Sequence, residues 1–90
     1  MNDMLCPSSR EDLSFEELDG EIVIFDPSTQ LTHRLNHSAA LIFLSCDGKT
    51  PLAEIRSLYQ NSFQLPDDVA DRDVRFVIEN LSKSSIVSVG

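Results

Sequence analysis

A chain of 90 residues that is 41% hydrophobic, with only 3 Gly and 4 Pro, reads as one small globular domain. Its size supports one modest core and leaves little volume for a deep, water-excluding pocket. Seven Lys and Arg against 15 Asp and Glu give a formal net charge of −8, which disfavours general binding to nucleic acid or to an anionic membrane.

No apolar run approaches the ~18–20 residues of a membrane span. No charged, apolar and cleavage-site series opens the chain as a secretory signal would. The expectation is a cytoplasmic protein. Residues 1–11 are rich in Pro, Ser and Asn and are expected to form a flexible tail, with the domain proper over 12–90. Cys6 and Cys46 stand 40 positions apart without a His cluster, so they read as unpaired thiols rather than metal ligands.

Leu13 and Phe15 alternate with Ser14 and Glu16, the signature of a half-exposed strand ending at Leu18. Asp19-Gly20 then marks a tight hairpin, because both residues tolerate positive φ. Glu21 to Asp26 is the second strand. Its run Ile22 to Phe25 is continuously apolar, which places it centrally and predicts cover on both faces. Asp26-Pro27-Ser28-Thr29 is turn chemistry. The third strand runs from Leu31 to Leu35, with Leu31, His33 and Leu35 on one face and Thr32 and Arg34 on the other. In a meander of this order the third strand is an edge.

Asn36 is a strong N-cap for the apolar helix that follows. That helix is expected to run to Asp47-Gly48 and, apolar almost all round, to be buried as the core element. A second helix is expected from Pro51 to about Ser62, with Thr50 as N-cap. Its apolar stripe is Leu52, Ile55, Leu58 and Tyr59, and Glu54, Arg56, Gln60 and Asn61 face water. A third helix starts near Pro66 or Asp67, whose early acids suit the helix dipole, and continues to about Lys83. Its buried face is Ala70, Val74, Val77, Ile78 and Leu81, with Val69 and Phe76 off that face. Ile86 to Val89 is a short apolar tail able to pack as a last strand. The order is α+β, a three-stranded antiparallel sheet followed by three helices, in the winged-helix range.

Motifs for catalysis are missing. The three glycines are isolated, so no phosphate loop can form. Cys-x-x-Cys and Gly-x-Ser-x-Gly are absent, and His33 and His37 lack a third convergent ligand. The acidic pairs read as a solvated face. The chain is therefore expected to be neither an enzyme nor a cofactor or metal carrier. What remains is surface: an unprotected edge strand beside a helix with spare apolar groups is the geometry of strand addition by a peptide. The competing reading packs Phe76 under the loop between Asn61 and Pro66.

The ordered set Thr32-His33-Arg34-Leu35-Asn36-His37-Ser38-Ala39-Ala40-Leu41-Ile42, Cys46-Asp47-Gly48-Lys49-Thr50 and Glu54-Ile55 resembles the PqqD-like family, the RiPP recognition elements. Leu18-Asp19-Gly20-Glu21 and Asp26-Pro27 fit the family's first hairpin and turn. Asp73-Val74, Phe76 and Leu81 fit its third helix, so the resemblance covers residues 12–87. It implies a winged-helix-like domain that binds the leader of a ribosomally made precursor peptide and presents it to a modifying enzyme. That enzyme would be a radical-SAM protein or a leader peptidase. The resemblance places the leader along Leu31, Thr32, His33, Arg34 and Leu35, against a groove wall of Val69, Arg72, Asp73 and Phe76. Two other readings stand beside it. One is a structural or adaptor subunit of a larger enzyme, docking through Ile22–Phe25 or the Ile86–Val89 tail. The other is a winged-helix transcription factor, opposed by the acidic third helix: Asp67, Asp68, Asp71, Asp73 and Glu79 outnumber Arg72, Arg75 and Lys83.

Overall fold

The computed structural model describes residues 2–89. In chain order the elements are β1 (Ser8–Ser9), β2 (Ser14–Leu18), β3 (Glu21–Asp26), β4 (Leu31–Leu35), α1 (His37–Leu44), α2 (Leu52–Phe63), α3 (Asp67–Lys83) and β5 (Val87–Ser88). Strands β2, β3 and β4 form an antiparallel meander with β3 in the middle, and β1 pairs with β5 in a separate two-stranded ribbon. The architecture is α+β.

Local chemistry sets these elements. Asp19 and Gly20 both take positive φ, 55° and 82°, and close β2 onto β3 with Leu18 opposite Glu21. This is the two-residue turn that matches strand twist. The β3–β4 turn is held by Asp26. Its Oδ1 accepts from the Ser28 amide at 2.9 Å, and its carbonyl accepts from the Gln30 amide at 2.8 Å. Asn36 caps α1, its side-chain oxygen accepting from the Ala39 amide at 3.0 Å.

The sheet is covered on one face only. Ile22 and Ile24 are fully buried, whereas Phe25, on the opposite face, is 42% exposed. The expectation of cover on both faces fails because all three helices lie on the Ile22–Ile24 side; the central placement of β3 stands. The core joins these isoleucines to Ala40, Ile42 and Phe43 of α1, Leu52, Ile55 and Tyr59 of α2, and Ala70, Val74, Ile78 and Leu81 of α3. Phe15 reaches it from β2, its ring edge-on to Phe43 at 5.4 Å between centroids.

The helices are shorter or less uniformly buried than their patterns predict. α1 ends at Leu44, which is exposed, and its cap is Ser45 rather than Asp47-Gly48. Leu58 of α2 is likewise at the surface. Thr50 does not cap α2. Its amide and hydroxyl both donate to the Asp47 carboxylate, and Pro51 occupies the cap position without a side-chain bond.

Residues 2–10, expected to fray, instead strap the two ends of the chain to the helices. The carbonyls of Leu5 and Asp3 accept from the Leu52 and Ala53 amides at 2.8 and 3.0 Å. They thereby satisfy first-turn donors of α2 that lack an intrahelical partner. Pro7 is buried, and its carbonyl accepts from the Gly48 amide. Ser8 and Ser9 pair with Ser88 and Val87. The Asp3 carboxylate lies 3.0 Å from Arg56 and 3.1 Å from Arg75, so Arg56 is tied down rather than turned to water. Backbone bonds and ion pairs, not apolar composition, hold this segment, and composition is blind to them.

Candidate functional site

β4 and β2 are the two edges of the sheet, and each leaves a row of backbone donors and acceptors without a ladder partner. They differ in what lies beside them. A shallow recess on the outer sheet face runs beside β2, lined by Ser14, Glu16, Val23 and Phe25. Alongside β4 the sheet and α3 enclose a groove.

The register fixes which side chains look into it. Leu31, His33 and Leu35 stand opposite Asp26, Ile24 and Ile22, and therefore on the core face. Thr32 and Arg34 stand opposite Phe25 and Val23, on the outer face, where the Arg34 guanidinium lies 3.3 Å from Glu21. Along β4 burial rises from Leu31, which is 57% exposed, to Leu35, which is buried.

Near Leu35 the groove encloses about 540 Å³ and is walled by Asn36, Ala39, Tyr59, Asp73, Phe76 and Val77, with Glu21, Arg34 and Ser38 at its rim. Phe76, at 67% exposed, is the largest uncovered apolar group on α3. The Tyr59 hydroxyl donates to Asp73 at 2.8 Å. Burial, and then that carboxylate, push the Tyr59 pKa up, so the phenol stays protonated and keeps Asp73 in place. Near Leu31 a second compartment of about 680 Å³ is walled by His33, Lys83 and the turn at Ser28–Thr29, with Arg10, Asp12 and Asp26 at its base. α3 thus runs antiparallel to β4, Asp73–Val77 beside Leu35 and Lys83 beside Leu31.

Of the site residues expected on α3, the structure brings Asp73 and Phe76 to the groove. Val69 is half-buried and is not among the groove's lining residues, and the exposed Arg72 guanidinium lies at the groove's edge, 3.5 Å from the Asp73 carboxylate. Val77, Lys83, Tyr59 and Ala39 line the groove and were not anticipated there. Asp73, Phe76, Val77 and Lys83 form one stripe at helical spacing. Continuing the stripe from Phe76 towards the C-terminus, rather than back towards Val69, identifies the last two.

Arg10 anchors the base of the Leu31 compartment. Its guanidinium donates to both oxygens of Asp26 at 2.9 and 3.0 Å and to both of Asp12 at 3.0 and 2.6 Å. Asp26 is buried, and the Arg10 bonds hold its pKa below the usual carboxylate value. Elsewhere, His37 Nε2 lies 2.7 Å from the Asp19 carbonyl. Burial pushes the Cys46 thiol up to about 12, leaving it a protonated core group that donates to the Ile42 carbonyl. Among the described residues no cluster of three His, Cys, Asp or Glu is placed to hold a metal, and no helix is long and apolar enough to cross a membrane.

Three comparisons bear on this geometry. The family model for coenzyme PQQ synthesis protein D, PqqD, matches residues 21–87. No curated protein matches the chain. Among solved structures, TbiB1 in complex with the TbiA(beta) leader peptide superposes with a TM-score of 0.81 at 15% sequence identity, over 90% of this chain and 94% of that one. At that identity the likeness is one of fold.

Proposed function

The chain belongs to the PqqD family, and from that premise we propose that it is a non-catalytic chaperone for the leader segment of a ribosomally made precursor peptide. The observation that carries this reading is the free edge of β4 facing α3 across a groove with an apolar wall. A peptide adding there as a further strand gains main-chain hydrogen bonds from β4 and buries alternate side chains against Phe76 and Val77. The leader complex of TbiB1 supports the same use of a similar fold. The bound leader is then handed to a modifying enzyme, a radical-SAM protein or a leader peptidase, in the cytoplasm where the precursor is made. Docking of that enzyme has a surface to use on the outer sheet face, where Leu18 and Phe25 are exposed; an adaptor role of this kind accompanies leader binding and does not compete with it.

Fluorescence polarisation with labelled peptides from the short reading frames beside this gene tests the proposal. One of them is expected to bind with micromolar or tighter affinity. Neighbouring N–H groups along a strand point to opposite sides, so of Thr32→Pro and His33→Pro one removes a donor from the free edge and the other a donor to β3. The former is expected to lose binding at least tenfold with little change in Tm. Normal binding by both variants would exclude β4 as the docking edge.

A further inference from the structure

The groove beside β4 has two compartments of different chemistry, and the second one contains an uncommitted cation. We propose that Lys83, with His33 beside it, reads a carboxylate side chain of the bound peptide, four residues beyond the apolar side chain that seats against Phe76. The inference rests on strand addition to β4 and goes on to specify what the added strand must contain.

The charges at the Leu31 end are not equivalent. Arg10 is spent: its guanidinium already serves both oxygens of Asp12, both of Asp26, the Ser28 hydroxyl and the Ser85 carbonyl. The same bonds engage the oxygens of Asp26 and Asp12. Lys83 makes no ion pair or hydrogen bond to any described residue, and neither does the half-buried His33 ring. A lysine in the last turn of a helix is often explained by the carbonyls it faces. Here those carbonyls are taken: Asn80, Leu81 and Ser82 accept from the Ser84, Ile86 and Ser85 amides at 3.2, 2.9 and 3.0 Å. The compartment therefore offers N–H donors in surplus, and an acceptor of opposite charge complements it. The other compartment offers the Phe76 and Val77 side chains, and among the described residues the cations at its edge are paired, Arg34 with Glu21 and Arg72 with Asp73.

Spacing follows from strand geometry. From Phe76 to Lys83 is seven helical residues, about 10 Å at ~1.5 Å each. Four strand residues cover about 13 Å at ~3.3 Å each, matching the run from Leu35 to Leu31. Both side chains must point towards α3, so their separation must be even. An added strand antiparallel to β4, the better-bonded arrangement, meets the Leu35 end first. The motif is an apolar residue followed four positions later by Asp or Glu.

The test is selection from a displayed library of random dodecapeptides against the full chain, its Lys83→Glu variant and its Thr32→Pro and His33→Pro variants. Lys83 is exposed, and Lys83→Glu is expected to melt like the parent. The parent is expected to enrich the apolar-x-x-x-acid pattern and Lys83→Glu to replace the acid by Lys or Arg. For one enriched peptide, Glu→Gln at the acid four positions after the apolar residue should weaken binding to the parent about fivefold at low salt, and less at high salt. Identical enrichment by the parent and Lys83→Glu overturns the role of Lys83 and leaves strand addition standing. Enrichment that neither Pro variant alters overturns strand addition to β4, and this inference with it.

Discussion

Asp26 lies buried where β3 turns towards β4, one carboxylate serving two masters. It receives the Arg10 guanidinium from outside the sheet and the Ser28 amide from within the turn. It thereby fixes the end of the free edge at Leu31, its partner in the register. Because Arg10 depresses its pKa, Asp26 adds stability that is present above the unfolded carboxylate value of about 3.9 and is lost as pH falls through the lower folded value. Asp26→Asn is expected to melt at a lower temperature than the parent at pH 7. The gap should narrow as pH falls below about 3.9, where the carboxylate of the unfolded chain takes up a proton and, at lower pH still, that of the folded protein follows. Thermal melts of both proteins across that range check the sign. A gap that stays constant into acid would mean that the Arg10–Asp26 charge pair contributes nothing beyond the shape of the side chain.

The β2–β3 hairpin and α1 meet at Gly20, and this junction ties the sheet to the first helix. A Cβ on Gly20 would overlap the His37 ring, and the residue's φ of 82° disfavours any side chain. His37 in turn bonds the Asp19 carbonyl. Gly20→Ala is expected to destabilise by about 1–3 kcal/mol, the usual scale for a non-Gly residue forced into such backbone. Gly20→Ala with His37→Ala should recover the steric part and leave the backbone part, a coupling that urea titrations of a double-mutant cycle resolve. Strict additivity would show that the ring moves aside freely. This hairpin, the meander, the Asn36 cap and the three helices are all legible in the sequence, because each rests on a local rule: alternation, Asp-Gly, a capping amide, a 3.6-residue stripe. The edge position of β4 follows from strand order. The groove wall was only half legible. Periodicity places Phe76 off the core face but does not say which way α3 runs past β4, and that direction decides between Val69 and Arg72 on one side and Val77 and Lys83 on the other.

At the scale of the molecule, the decisive feature is one that composition hides. The family match begins at residue 21, yet residues 2–10 complete the fold around it. They supply backbone acceptors to the start of α2, a strand partner to β5, and the arginine beneath the Leu31 compartment. A chain beginning at Glu11 keeps β2 to β4 and the three helices but leaves the Asp26 carboxylate without its guanidinium and the Leu52 and Ala53 amides without acceptors. Lost first-turn bonds of this kind cost about 1 kcal/mol, or roughly 4–8 °C in a domain of this size. The truncated chain is therefore expected to fold with a lower Tm. Its loosening should be local: amide exchange should accelerate at Ser88, in the turn from Asp26 to Leu31 and at the start of α2, while Ile78 and Leu81 in the core stay protected. Peptide binding should weaken several-fold, because the half of β4 that ends at Leu31 loses its support while the apolar compartment by Phe76 remains. Exchange mass spectrometry on the two chains separates this from a general destabilisation, in which every amide would accelerate together. Equal protection at Ser88, whose amide faces the Ser8 carbonyl across the ribbon, in both chains would show that the strap lies on the domain without holding it.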